Sequence, residues 1–100
     1  MDLSELRIFG VDNGGIVMPN TPLLTLEGPI NQIQVMETTL INLTNYPSLI
    51  ASLSFRLRML YPDKILIEDG SEFGQSPNGS LCGVKHSYIG TVNSNYYIKY

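Results

Sequence analysis

The stretch that decides the fold runs from Gly28 to Ala51 and reads GPINQIQVMETTLINLTNYPSLIA, with Glu37 as its only charged residue. Its apolar residues recur at the spacing of one helical face, at Ile33, Met36, Leu40 and Leu43. A helix at the surface of a small soluble domain usually has a charged face opposite its apolar stripe. The uncharged stretch therefore predicts that both sides of its helices contact protein.

The stretch is predicted to form two helices, with Pro29 at the start of the first and Pro47 between the two. Pro29 suits the first position of a helix, where its missing amide hydrogen would be unpaired anyway. Pro47 disfavours the helical conformation for Tyr46, so the first helix is predicted to end there. The second helix then has its own apolar face, formed by Leu49, Leu53, Leu57 and Leu60.

The flanking segments predict short strands and loops. Ile16–Met18 and Leu23–Leu26 are predicted as strands around a Pro-Asn-Thr-Pro turn. The other segments are a weakly alternating stretch (Glu5–Phe9), a strong turn (12–15), a buried strand (65–67), a loop (69–79) and a short helix (80–89). This order predicts an α+β fold. We divide it into a strand and two-helix region, 1–62, and a loop-rich region, 63–100.

Composition and charge argue against several classes of protein. The chain has 100 residues and a net charge of −3, and it has no basic residue between Arg7 and Arg56. Nucleic-acid binding requires a basic surface, so no nucleic-acid partner is expected. No apolar run reaches the roughly 18 residues of a membrane span, and no signal peptide is recognisable. With Cys82 as the single cysteine, these features predict a cytoplasmic protein without disulfides.

Few residues have the spacing of a chemical site. Cys82 and His86 lie four positions apart, which suits a thiolate–imidazole pair or half of a zinc site on a helix. A zinc site needs three or four ligands, and the chain has no other Cys or His. We therefore favour a packed thiol and a surface imidazole, and we predict no catalytic residue and no metal ligand.

Charged residues outside that pair also have a structural and a functional interpretation. Four acids, Asp63, Glu68, Asp69 and Glu72, could bind Mg²⁺, but solvated loop acids are the favoured interpretation. Glu37 is predicted to be a buried, paired carboxylate. Arg56 and Arg58 either end a helix or bind phosphate, and we favour the helix end.

The run from Gly15 to Leu60 resembles nicotinate phosphoribosyltransferases in four elements that occur in the same order. They are Pro-Leu-Leu (22–24), Glu-Gly-Pro (27–29), Glu-Thr-Thr-Leu-Ile-Asn (37–42) and Ser-Leu-Ile-Ala (48–51) leading to Arg56. The Glu-Thr-x-Leu-x-Asn pattern is shared with quinolinate phosphoribosyltransferases. A fainter resemblance continues from Pro62 to Gly90.

The resemblance implies the N-terminal α/β-sandwich portion of a type II phosphoribosyltransferase, with the barrel missing from this chain. It implies an enzyme of NAD biosynthesis that joins nicotinate to phosphoribosyl pyrophosphate, forming nicotinate mononucleotide. The full enzyme is expected to use ATP and Mg²⁺ as well, whereas no cofactor is expected in this chain, which alone is expected to be inactive. Its partner would be a second subunit or the remaining chain of the same enzyme.

The sequence departs from the family at positions that matter for anion binding. Asp69, Glu72 and Phe73 stand where family members have a phenylalanine and two arginines. The resemblance makes Asn93, Ser94 and Asn95 the substrate-binding candidates, because a polar loop near the nicotinate pocket falls there in the family. A degenerate, non-catalytic interaction domain derived from the same family is the alternative.

Overall fold

The computed structural model describes residues 5–91 and the backbone of 96–98, and it divides the chain between Leu43 and Thr44 into two compact units. The elements are β1 (Arg7–Gly10), β2 (Leu24–Glu27), α1 (Ile30–Leu60), β3 (Leu66–Glu68), a 3₁₀ turn (Ser71–Phe73), α2 (Ser76–Gly90) and β4 (Tyr96–Ile98). The α+β class is confirmed. No described helix combines the length and the apolar character of a membrane span. The boundary at 62/63 stays a prediction.

The first unit contains an antiparallel pair, β1 and β2. Their register places Arg7 opposite Glu27 and Phe9 opposite Thr25, and opposite charges across a pair are favourable by about 0.2–1 kcal/mol. The ladder extends one step further, because the amide of Val11 donates to the carbonyl of Leu23 at 3.2 Å. The weakly alternating segment therefore supplies the partner of the predicted second strand.

The predicted strand Ile16–Met18 is wrong, since these residues lie in the loop between β1 and β2. Two turns shape this loop, one closed by Gly15 N to Asp12 O at 3.1 Å and one by Thr21 N to Met18 O at 3.1 Å. The apolar side chains between the turns are solvent-exposed. A short apolar run alone does not form a strand when no neighbouring strand pairs with it.

The long helix α1 is continuous, so the predicted break at Tyr46 is wrong. It begins as predicted after Gly28-Pro29, and the amide of Ile33 donates to the carbonyl of Pro29 at 3.2 Å. Pro47 lies inside the helix and has no amide hydrogen for the carbonyl of Leu43. The many helical turns on either side outweigh the loss at one position, so the helix continues through the proline. The two compact units divide at the same turn.

The least exposed face of α1 changes its chemistry along the helix. It begins with Ile33, Met36 and Leu40, as predicted, whereas Leu43, the fourth residue of the predicted stripe, is 63% exposed. In the second unit the covered positions of α1 are Thr44, Pro47, Ile50, Ala51, Ser54 and Arg58. The leucine face predicted for a second helix is exposed instead. The prediction chose the most leucine-rich face, whereas the covered face contains the small residues Ala51 and Ser54 that allow close packing.

Small residues bring α2 close to α1 in the second unit. A Cβ atom at Gly90 would overlap the carbonyl oxygen of Ala51 and would lie 3.0 Å from the Cβ of Ser54. Ser54 and Ser87 are buried, as is Val84. Backbones approach this closely only where side chains are absent or very small. The core of the second unit is therefore a close helix contact rather than a cluster of large apolar side chains.

Strands β3 and β4 pair in parallel, with Leu66 opposite Tyr96 and Glu68 opposite Ile98. Helix α2 lies between them in sequence, so the segment is a β–α–β unit. It was predicted as a strand, a loop and a short helix, and the helix in fact begins at Ser76 rather than Ser80. Two parallel strands rarely form a stable sheet alone, because parallel sheets are normally larger and covered on both faces.

We predict that Pro47→Ala stabilises the chain. The substitution restores a helical hydrogen bond to Leu43, and proline inside a helix costs about 3 kcal/mol relative to alanine. Proline also restricts the unfolded chain, so we expect a net rise in unfolding free energy of about 1–2 kcal/mol. Urea unfolding followed by helical circular dichroism measures this change. Pro62→Ala, outside the helix, is the control, and an unchanged or lower stability of Pro47→Ala would contradict the prediction.

We predict that Gly90→Ala separates α2 from α1 and lowers stability by about 1–3 kcal/mol, as overpacking does. Gly79→Ala in the same helix is the matched control, because its nearest neighbour to an added Cβ is the hydroxyl oxygen of Ser76 at 3.9 Å. That control should be neutral or stabilising by up to about 1 kcal/mol. Equal effects of the two substitutions on urea unfolding would show that the close contact does not hold the unit together.

Candidate functional site

The candidate site is the segment between β3 and α2, which we call the β3–α2 loop (Asp69–Gln75). Ligands of parallel α/β sheets bind at the carboxyl ends of the strands, where such loops meet helix N-termini. The loop follows the carboxyl end of β3 and leads directly into α2. Its position is therefore the one at which an α/β unit carries its chemistry.

Two short hydrogen bonds hold the first half of the β3–α2 loop. Oε1 of Glu68 accepts from the amide of Gly70 at 2.8 Å, and the Ser80 hydroxyl donates to the carbonyl of Ser71 at 2.8 Å. A Cβ atom at Gly74 would overlap the hydroxyl of Ser80, so only glycine allows this approach. Ser80 of α2 therefore contacts the loop near Ser71 and near Gly74.

Ser76 begins α2 with a φ of 73°, a left-handed conformation that is uncommon for serine. Its hydroxyl oxygen accepts from the amide of Gly79 at 3.4 Å, and Pro77 follows at the first turn. The hydroxyl thereby partly replaces the cap that Gln75 does not supply. The sequence contained the Ser-Pro pair, but the left-handed residue was not predicted from it.

The charged and aromatic side chains of the loop do not converge. Glu72 and Phe73 lie in the 3₁₀ turn, and Phe73 is 86% exposed. Over the described part of the chain, no group of three or more Asp, Glu, His or Cys could hold a metal ion. The four acids considered for Mg²⁺ binding therefore do not form a site there. Asn93, Ser94 and Asn95 lie outside the described residues, so their role stays a prediction.

Cys82 and His86 lie close together, but the imidazole is hydrogen-bonded to a backbone carbonyl rather than positioned to take the thiol proton. Nδ1 of His86 lies 2.7 Å from the carbonyl oxygen of Cys82 and 3.4 Å from its Sγ. A carbonyl oxygen only accepts, so Nδ1 carries a hydrogen and donates it there. An Nδ1 that carries a hydrogen does not accept the thiol proton. The favoured structural interpretation agrees with this geometry.

Three residues were expected to have a buried or a terminal role, and their outcomes differ. Arg56 lies near the end of α1, as favoured. Glu37 is exposed, so the predicted buried carboxylate is wrong. It lies at the edge of the covered face of α1, four residues after Ile33 and three before Leu40. Arg58 ends α1 as favoured, because its Nη1 contacts the carbonyl oxygens of Tyr61, Pro62 and Lys64 at 3.2, 3.0 and 2.9 Å. These contacts fix the turn that leads into β3.

Comparison with known proteins supplies the evidence for a family. The chain is 44% identical over 88 residues to the nicotinate phosphoribosyltransferase of Caenorhabditis elegans, covering 87% of this chain and 16% of the relative. It is 36% identical over 91 residues to nicotinate phosphoribosyltransferase 1 of Arabidopsis thaliana, covering 90% of the chain and 16% of the relative. The Homo sapiens enzyme is 36% identical over 96 residues, covering 95% of the chain and 18% of the relative.

The chain is related to nicotinate phosphoribosyltransferases. The relationship covers nearly all of this chain but only about a sixth of each of these curated relatives. No family profile matches the chain. No solved structure matches it either. The relationship to nicotinate phosphoribosyltransferases thus comes from sequence identity, and it confirms the resemblance found in the sequence.

The relationship to nicotinate phosphoribosyltransferases gives the β3–α2 loop its significance. In the resemblance described above, the family's two arginines fall on Glu72 and Phe73, which are exposed in the 3₁₀ turn. Exposed side chains on a turn are free to differ without disturbing the packing of the unit. The β3–α2 loop contains two acidic residues, Asp69 and Glu72, and no basic residue.

We predict that His86 does not activate Cys82. The rate of alkylation of Cys82 by iodoacetamide should change less than about twofold in His86→Asn, because Nδ1 donates to a carbonyl and does not take the thiol proton. General-base catalysis would instead be worth about 10²-fold or more. Cys82→Ser confirms that the label attaches at Cys82. A fall of about 10²-fold in folded His86→Asn would contradict the structural interpretation.

Proposed function

We propose that the chain serves as the N-terminal part of a nicotinate phosphoribosyltransferase, in an enzyme that joins nicotinate and phosphoribosyl pyrophosphate into nicotinate mononucleotide. The observation that carries the proposal is the identity of 34–44% to several such enzymes over about nine-tenths of the chain. ATP and Mg²⁺ belong to the proposed full enzyme. Residues Asn93, Ser94 and Asn95 are proposed to contact its substrate.

The β–α–β unit supports an incomplete α/β architecture. Strands β3 and β4 form a two-stranded parallel sheet, which in other proteins is part of a larger sheet. An α/β barrel needs about 250 residues, so this chain would contribute only its beginning. We propose that β3 and β4 continue into such a barrel, and that the first unit belongs to the α/β-sandwich domain of the enzyme.

Exposed apolar side chains support a larger assembly. Leu49, Leu53 and Leu60 on α1 are 61%, 56% and 69% exposed. Burying such a side chain is favourable by about 1.5–3 kcal/mol, so a face of this kind is usually covered by protein. We propose that the remaining chain of the enzyme or a second subunit covers it, in a cytoplasmic homodimer.

The alternative proposal is a non-catalytic interaction domain derived from the same family. The exchange of two arginines for Glu72 and Phe73 favours it, because a carboxylate repels the phosphate groups that an arginine binds. Such a domain would bind a partner protein and would catalyse no reaction. The two proposals differ in whether the rest of an enzyme can use this segment.

We predict that a chimeric enzyme distinguishes the enzyme proposal from the interaction-domain proposal. In it, the matching segment of the Caenorhabditis elegans enzyme is replaced by this chain, and formation of nicotinate mononucleotide is measured. We expect a soluble chimera with weak activity, and we expect Glu72→Arg with Phe73→Arg to raise kcat/KM for phosphoribosyl pyrophosphate about tenfold or more, through charge-assisted contacts.

Asp12→Arg is the control for charge, because Asp12 lies in the exposed loop between β1 and β2. It should leave kcat/KM unchanged within about twofold, since an exposed charge without a specific contact contributes little in water. A soluble chimera that stays inactive with both arginines present would reject the enzyme proposal and favour the interaction domain.

A further inference from the structure

The side chain of Arg58 has an unused hydrogen-bonding edge. Its Nη1 contacts three carbonyl oxygens at the end of α1, as described above. Its Nε and Nη2 atoms are buried, and within the described residues neither has a hydrogen-bond partner. Guanidinium geometry places the Nε–H bond beside one Nη2–H bond, with both pointing the same way. The two unused donors therefore form a single fork, which we call the Arg58 fork.

We propose that the Arg58 fork binds an oxyanion, a carboxylate or a phosphate, through two parallel hydrogen bonds. Two N–H groups on a permanent cation match two oxygen atoms of one oxyanion in spacing and in charge. Buried donors without a partner are costly, and a charged acceptor compensates them best. The proposal does not depend on the proposed function.

The Arg58 fork is preorganised. The Nη1 contacts hold the guanidinium in one orientation, so binding would not require ordering of a free side chain. Arg58 itself is partly exposed, and the side chains that follow it, Met59, Leu60 and Tyr61, are 67%, 69% and 51% exposed. The residues next to Arg58 in the chain therefore lie at the surface, although the two donor atoms of the fork are themselves buried.

Glu68 is the competing acceptor within the chain. Its Oε2 atom is also buried without a hydrogen-bond partner in the described residues, so it is not bonded to the Arg58 fork. Its Oε1 atom is engaged with the amide of Gly70. A carboxylate that turned toward Arg58 would fill the same position as an external oxyanion. The experiment must therefore separate an added anion from Glu68.

The test is a titration of the ¹⁵N-labelled, 100-residue chain, observed by nuclear magnetic resonance. The Nε–H resonance of Arg58 is assigned by its loss in Arg58→Lys. Sodium phosphate and sodium benzoate are added separately at constant ionic strength, with sodium chloride as the balancing salt. We expect a saturable shift of the Arg58 Nε–H resonance with at least one anion, and which anion gives it identifies the chemical class.

Two variants make the result specific. Arg58→Lys keeps the charge but lacks the fork, so binding followed at the amide of Lys64 should weaken about tenfold or more. Arg56→Lys, two residues earlier on the same helix, should leave the Arg58 titration unchanged. Equal, unsaturable shifts at Arg56 and Arg58 would overturn the proposal, because they indicate general screening.

Absence of a shift with both anions would overturn the proposal. It would also be overturned if Glu68→Gln moved the Arg58 Nε–H resonance while the anions did not, since Glu68 would then occupy the fork in solution. A saturable shift that persists in Glu68→Gln supports the site. None of these outcomes tests the enzyme proposal, because the chimera experiment measures nicotinate mononucleotide formation and varies Glu72 and Phe73 instead.

Discussion

The close approach of α2 to α1 is the contact on which the second unit depends. Gly90 lies against the backbone of Ala51, and Ser54 and Ser87 are buried beside it. With so little apolar surface buried, the unit is stabilised mainly by dispersion contacts at short range and by helical hydrogen bonds. The same helix carries Arg58, whose contacts set the turn into β3. The start of the parallel sheet therefore follows from the position of α1.

Local sequence signals predicted the elements that depend on neighbouring residues. Gly28-Pro29 marked the start of α1, and the apolar spacing from Ile33 to Leu40 marked its covered face. The failures came where a distant partner decides the outcome. Ile16–Met18 has the composition of a strand but no partner strand. Pro47 was predicted to end a helix, but α1 continues through it. The packing of α2 was missed because small residues give no hydrophobic signal.

The candidate site was predictable in its location and not in its details. Family resemblance pointed to the segment around Glu72, and the structure places that segment at the carboxyl end of β3. The left-handed Ser76 and the unused edge of Arg58 depend on the conformation of the surrounding backbone. Neither has a sequence pattern of its own. For Cys82 and His86 the sequence suggested more than the structure supports. Their spacing suits a thiolate–imidazole pair, but the contact of His86 Nδ1 with the carbonyl oxygen of Cys82 argues against it.

The parallel pairing of β3 with β4 has a consequence for the order of folding. Leu66 pairs with Tyr96 across the whole of α2, so this contact joins residues far apart in the chain. Helices form within about a microsecond, whereas a distant pairing must first overcome the entropy of loop closure. Helix α2 shortens that loop and brings the strands together only after it has formed. The sheet is therefore expected to be the last part of the second unit to fold, and its strand edges stay unpaired for longest during synthesis.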